Sequence, residues 1–149
     1  HNAPTMEAMT PQRAFSAAQM ENLRRQNGNI NASELIGMMH PQQERNWNPN
    51  LGQGRRQIRT GRNFQVPDSQ NPGHHFTVRI HTNDNTINDR NANAHSNAVV
   101  RIQRSVDGRF LMGGNSHRDA VGANAWAPNR ANDAQINAAH IPVGPGRRR

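Results

Sequence analysis

The chain has 149 residues, a net charge of +8 and no cysteine, which bounds it to one domain with at most a helical extension and excludes disulfide frameworks and thiolate metal sites. Leu, Ile, Val and Phe together number 23, about 15% of the chain, so the core is expected to be small and to gain from a partner, an oligomer or an enclosing structure. No apolar run approaches the length of a membrane span.

In chain order, Thr10 before Pro11 reads as an N-cap and first helical residue, and Gly28 as the terminator, framing a helix over about 11–26. Phe15, Ala18 and Leu23 form its expected apolar stripe. Asn31, with Glu34 three residues on, resembles a capping box and opens a short helix through Met39, ended ahead of Pro41. From His40 to Pro72 the composition is Asn, Gln, Gly, Arg and Pro, a long connection with one short edge strand at Phe64 to Val66. Arg55, Arg56, Arg59 and Arg62 form a solvated basic patch within it.

Strands follow. HFTVRIHT alternates Phe76, Val78 and Ile80 with Thr77, Arg79 and His81, the period-2 pattern of a half-buried strand. An Asn-rich loop runs to Ser96, and AVVRIQR (98–104) places Val100 and Ile102 on one face and Val99, Arg101 and Gln103 on the other. Asp107-Gly108 is a hairpin turn leading into RFLM at 109–112. Residues 113–139 read as irregular apart from a helical turn in NDAQINAAH, HIPV adds a last short strand, and Gly144 to Arg149 is a basic tail. The fold class is α+β: a helical segment over 1–45, then a small, mostly antiparallel, twisted sheet in the basic region 46–149, one compact unit overall.

All 18 basic residues are arginine, and tyrosine is absent. Arginine-favouring codon usage accounts for this, as does a protein that enters foreign cytoplasm and gains by offering no lysine to ubiquitin. The chain begins at His1, which reads as a piece released from something longer. Residues 1–44 sum to −1 and residues 45–149 to +9, with no glutamate after Glu44. The basic part points to a polyanionic partner, nucleic acid or an acidic inhibitor protein. Four Phe, two Trp and no Tyr argue against a single-strand binder built on stacked bases.

Arg79 and His81 project from one strand face roughly 6–7 Å apart, a spacing that brackets one phosphate. If the next strand pairs in suitable register, Arg101 joins them. Arginine neutralises charge building on a phosphorane, and histidine moves a proton at neutral pH. Metal-independent RNA cleavage needs a base for the 2′-hydroxyl and an acid for the leaving 5′-oxygen, and His140, heading the last strand, is the second candidate. His75 shares the face but lies about 20 Å from His81 along the strand. His40, His95 and His117 read as surface histidines. A metal cluster of His74, His75 and His81 fails because adjacent strand residues point to opposite faces. His117, Asn132 and His140 loosely echo a His-Asn-His nuclease without a clear acidic ligand.

VRIH (78–81), Asp84, SNAVVRIQ (96–103), Phe110 to Met112 and NDAQINAAHIPV (132–143) stand in an order that resembles the bacterial polymorphic toxin type 30 domain, a C-terminal module of Rhs-like secreted proteins. The pattern there is V-R-[VI]-H, a later Asp, S-N-A, R-V-Q, Y-M and T-H-I-P-[IV], and the resemblance covers about residues 64–143. Phe-Leu-Met replaces Tyr-Met, and Ala139 replaces the threonine before the histidine. The resemblance implies roles for Arg79, His81, Asp84, Ser96, Asn97, Arg101 and His140. Joined to the strand-face argument, the expected catalytic residues are Arg79, His81, Arg101 and His140 and the expected substrate-binding residues Asp84, Ser96, Asn97 and Gln103, with no metal and, unless NAD is used, no cofactor. It also implies secretion on an Rhs-like carrier, action in the cytoplasm of a target cell, an RNA substrate and a cognate acidic immunity protein.

Three functions compete: a metal-independent RNase toxin, an ADP-ribosyltransferase toxin holding the NAD diphosphate on Arg79, and a non-enzymatic basic binding module. Transferases of the second kind usually place a late glutamate on the nicotinamide ribose, and none follows Glu44. The third predicts that replacing His81 leaves activity intact.

Overall fold

The computed structural model describes residues 13–27, 29–47, 60–84, 86–87, 89–113, 125–128 and 133–144. It is an α+β fold with short helices and a mixed, mostly antiparallel eight-stranded sheet. In chain order the elements are α1 (Ala17–Asn27), β1 (Ile30–Asn31), α2 (Ala32–Gly37), a 3₁₀ turn (Pro41–Gln43), β2 (Glu44–Arg45), β3 (Gly61–Pro67), β4 (His75–His81), α3 (Asn93–Ser96), β5 (Val99–Arg104), β6 (Phe110–Leu111), β7 (Trp126–Ala127), α4 (Asp133–Ala138) and β8 (Ile141–Gly144).

The first helix begins later than its sequence suggests. Thr10, Pro11 and Gly28 lie outside the described residues. Phe15 is extended: its N–H donates to the Pro67 carbonyl and its own carbonyl accepts from Ser69. The cap is therefore Ser16, whose Oγ accepts from the Gln19 N–H while Gln19 Oε1 accepts from the Ser16 N–H, a reciprocal capping box. This phase turns Met20, Arg24 and part of Leu23 inward and leaves Ala18 exposed, so the expected stripe of Phe15, Ala18 and Leu23 is corrected. α2 starts as expected, with Asn31 Oδ1 accepting from the Glu34 N–H at 3.0 Å.

The sheet order is β1-β8-β5-β4-β3-β2, with β6 attached to β5 and β7 to β6. β3 is longer than the edge strand expected at Phe64 to Val66 and is interior, flanked by β4 and the two-residue β2. Arg62, from the basic patch expected to be solvated, is exposed and makes a two-pronged ion pair with Glu44 at 2.7 and 2.9 Å. Arg55, Arg56 and Arg59 lie outside the described residues. The Asp107-Gly108 turn forms as expected: Gly108 has φ +72°, which favours glycine, and Asp107 holds Arg104 through two hydrogen bonds of 2.8 Å.

Alternation decides the two faces. Phe64, Val66, Phe76, Val78, Ile80, Val100 and Ile102 are buried in one cluster with Met20, Ile30, Leu35 and Met39 from the N-terminal segment and Leu111, Trp126 and Ile141 from the later strands. The N-terminal helices and the sheet thus share a core. Trp126 Nε1–H reinforces this by donating to Glu21 on α1 at 2.9 Å. The last strand, β8, inserts between β1 and β5, parallel to the first and antiparallel to the second. That insertion brings His140, just ahead of β8, to the polar face beside β5.

Candidate active site

Four side chains of the polar face meet across neighbouring strands. Antiparallel pairing sets Asn63 opposite Arg79, and Arg79 opposite Arg101. Val100 faces Ile141, so one step further along that register His140 stands beside Arg101. His81, one pleat along from Arg79, faces Gly61 on one side and Val99 on the other. The His81 and His140 rings are 6.3 Å apart, centre to centre, at 74°. The sequence-predicted quartet of Arg79, His81, Arg101 and His140 is therefore one cluster.

Both imidazoles are oriented by backbone carbonyls. His81 Nδ1 lies 2.8 Å from the Thr82 carbonyl and His140 Nδ1 lies 2.7 Å from the Ile136 carbonyl. A carbonyl can only accept, so Nδ1 carries the proton in each ring and Nε2 holds the lone pair when the ring is neutral. Each histidine thus keeps Nε2 as the nitrogen that can take up a proton.

Burial and neighbouring charge push both rings toward the neutral form. Burial, then the Arg101 charge, pushes His140 down to about 4, opposed by its bond to Ile136. Burial also lowers His81, with Arg101 and Arg79 adding to the effect, while the Thr82 carbonyl and Asp84 oppose it. Burial depresses Arg79 and Arg101 as well, and Arg79 adds its repulsion at Arg101. Guanidinium remains charged through such shifts, so the face carries two positive charges beside two proton-transfer groups.

Each arginine rests on an aromatic ring. The Arg79 guanidinium carbon lies 4.5 Å from the centre of a Trp47 ring, and that of Arg101 lies 4.5 Å from the centre of Phe110. Trp47 also packs beside His81, 6.1 Å between centres. Arg101 Nε and Asn63 Oδ1 are buried with no hydrogen-bond partner in the protein, a donor and an acceptor left over in the same row. Buried polar atoms are ordinarily satisfied, and a bound polar ligand would complete both.

His140 is held by its flanks. Its N–H donates to the Asn137 carbonyl, and its own carbonyl accepts from Asn93 Nδ2 at 3.0 Å. Asn93 Nδ2 also donates to the Asn137 carbonyl, and the Asn93 N–H to Asn137 Oδ1 at 2.7 Å. α3 therefore clamps α4 and the start of β8 together.

The other four sequence candidates make local contacts. Asp84 Oδ1 accepts from the Thr86 N–H and hydroxyl, and its charge reaches His81 only as a minor upward influence. Ser96 Oγ bonds His95 Nδ1, and Asn97 Nδ2 donates back to the Asn93 carbonyl. Gln103 Nε2 donates to Gly108 across the hairpin. His75 lies at the far end of β4, and His74 Nδ1 bonds Ser105. His117 and Asn132 lie outside the described residues. Among the described residues no group of three or more potential ligands is placed to hold a metal, and no helix is long and apolar enough to cross a membrane.

Sequence reasoning missed Trp47, Asn63 and Asn93. Asn63 carries a usable signal, because alternation extended from Phe64 and Val66 puts it on the polar face. Trp47 and Asn93 sit in polar connections with no periodic context.

The chain matches no family model, no curated protein and no solved structure.

Proposed function

We propose that the protein is a metal-independent ribonuclease that cleaves RNA by internal transesterification. The observation that carries this reading is the pair His81 and His140, 6.3 Å apart on the face that bears Arg79 and Arg101, each with Nδ1 tied to a backbone carbonyl. Two imidazoles flanking two guanidiniums supply the base, the acid and the charge stabilisation that phosphodiester cleavage needs.

His140 has no carboxylate raising its pKa and serves as the base, its Nε2 taking the 2′-hydroxyl proton. The 2′-oxygen attacks phosphorus, the bond to the 5′-oxygen breaks, and that oxygen takes a proton from His81. His81 is assigned as the acid: burial and the two arginines lower its pKa in the free protein, against the Thr82 carbonyl and Asp84. A bound phosphate anion adds to the opposing side, so the ring takes up a proton at Nε2 with the substrate and passes it to the leaving oxygen. Arg79 and Arg101 neutralise the non-bridging oxygens. The products are a 2′,3′-cyclic phosphate and a free 5′-hydroxyl, and no metal enters the step.

The setting of this reaction is proposed from the ordered motifs VRIH, SNAVVRIQ and AAHIPV, which resemble the polymorphic toxin type 30 domain. In that setting the chain is the toxin tip of an Rhs-like carrier, secreted, active on RNA in the cytoplasm of a target cell, and held in check by an acidic immunity protein. The net charge of +9 over residues 45–149 suits both polyanionic partners.

The test is incubation with total RNA in EDTA, with and without NAD, read by gel and mass spectrometry. Cleavage to cyclic phosphate ends in the absence of NAD is expected. Intact RNA with an NAD-dependent mass increase, on RNA or protein, overturns the reading and makes Arg79 a ligand of the NAD diphosphate.

A further inference from the structure

Arg79 and Arg101 pose a packing problem whatever their ligand. They stand directly opposite each other on β4 and β5, where like charges repel. Long side chains in that position ordinarily splay apart. Here each is caught by a ring contributed from outside its own strand, Trp47 from the segment after β2 and Phe110 from β6. A ring face attracts a guanidinium without neutralising it.

The strand pairing is adapted to one of these contacts. Gly61 faces His81 across β3 and β4, and a Cβ at Gly61 would lie 2.6–2.7 Å from Trp47 ring carbons. Only glycine admits the indole there. The same indole lies against the His81 ring, so one side chain contacts both an arginine and a histidine of the cluster. Phe110 is set by its pairing with Gln103 in β5 and Ala127 in β7, and Arg101 Nε, beside it, has no protein partner.

We infer that Trp47 and Phe110 are positioning residues of the site: each seats one arginine of the like-charged pair on its ring, directing both guanidiniums at a single oxyanion. The inference rests on the proposed phosphate chemistry of the cluster but not on cleavage of RNA. Loss of a seat frees its arginine to swing away from its neighbour, weakening the anion site while the sheet beneath stays paired.

The experiment uses the whole chain, with inorganic phosphate as the probe, followed through the Arg79 and Arg101 Nε–H signals in NMR. Trp47→Leu, Trp47→Phe, Phe110→Leu, Phe110→Tyr and Gly61→Ala are compared with the parent, each checked for fold by its backbone amide spectrum. The leucine variants and Gly61→Ala are expected to weaken phosphate binding about three- to thirty-fold, the range of one cation–π contact. The aromatic replacements should stay within about three-fold, and should retain the ring-current shift of the seated arginine. If a leucine variant fails to fold, its aromatic counterpart and Gly61→Ala still decide the matter through that ring-current shift and the affinity together. Unchanged phosphate affinity in folded variants that have lost the ring-current shift overturns the inference, as does absence of phosphate binding by the parent. RNA cleavage is assayed in parallel. A parent that binds phosphate but leaves RNA intact sinks the ribonuclease reading alone, and cleavage that persists at full rate without either seat sinks this inference alone.

Discussion

Arg79 and Arg101 face each other across adjacent antiparallel strands, and the two histidines nearest to them, His81 and His140, lie 6.3 Å apart between ring centres. Charge and proton transfer are thus concentrated on the central strands of the polar face. The opposite face of those same strands is hydrophobic core, so the site is carried by the most constrained part of the sheet.

Replacing either histidine should separate catalysis from binding. His81→Gln and His140→Gln are each expected to lower single-turnover RNA cleavage by about 10²–10⁴-fold, with RNA affinity within a few-fold of the parent, measured by titration with a non-cleavable 2′-deoxy analogue. Unchanged cleavage in both variants would deny the two histidines a catalytic role and overturn the assignment of acid and base.

Arg101 should show opposed effects on activity and stability. It is repelled by Arg79 and its Nε lacks a partner, so Arg101→Met is expected to raise stability by about 0.5–2 kcal/mol in urea unfolding. The same change should lower cleavage by about 10²-fold or more, because the charge on the phosphorane loses a partner. Arg101→Lys keeps the charge without the planar fork, and should recover only part of the rate. A variant that loses stability and activity together would mark Arg101 as structural.

His140 predicts the acid limb of stability. Its pKa is about 4 in the folded chain against an ordinary 6.5, so below pH 6.5 the unfolded state binds more protons and stability falls as pH falls. The loss is progressive down through about pH 4 and then levels off, amounting to at most about 3 kcal/mol from this residue. His140→Asn should flatten the unfolding free energy over that window relative to the parent. Saturating phosphate should shrink the parent's slope, since an anion beside the ring favours its charged form.

Asn93 predicts a rate defect without contact to substrate. Asn93→Ala removes the side-chain bonds to the Asn137 and His140 carbonyls, at an expected cost of about 1–3 kcal/mol in stability. Because His140 is released rather than removed, kcat should fall more than KM changes, and the pH midpoint of kcat should shift toward that of an ordinary histidine. Equal effects on kcat/KM at every pH would deny it a positioning role.

Much of the fold was legible because its signals are local. Alternation over residues 75–81 assigned Arg79 and His81 to one face, and the pleat makes that assignment independent of tertiary context. Alternation over 99–104 set Arg101 apart from Val100 and Ile102, and the pairing of β4 with β5 then placed it opposite Arg79. Asn31 with Glu34 and the Asp107-Gly108 turn were read from short-range hydrogen bonding, and both form. The expected helix does not run through residues 13–16, because the backbone of Phe15 pairs with Pro67 and Ser69 far along the chain, and α1 takes its cap from Ser16 and Gln19 instead.

What only the tertiary structure decided is non-local pairing. That His140 stands beside Arg101 follows from β8 entering between β1 and β5, a choice governed by which strand edges the whole core leaves to be covered, not by any residue near His140. Trp47 reaches Arg79 and His81 because Gly61, paired to His81, carries no Cβ. Asn93 anchors His140 because a helical turn of polar sequence docks on another. The sequence by itself determined which side chains share a face, since that is a property of a strand's own period. Which faces and loops converge depends on burying the apolar side of all the strands at once, and that brought Arg79, His81, Arg101 and His140 together.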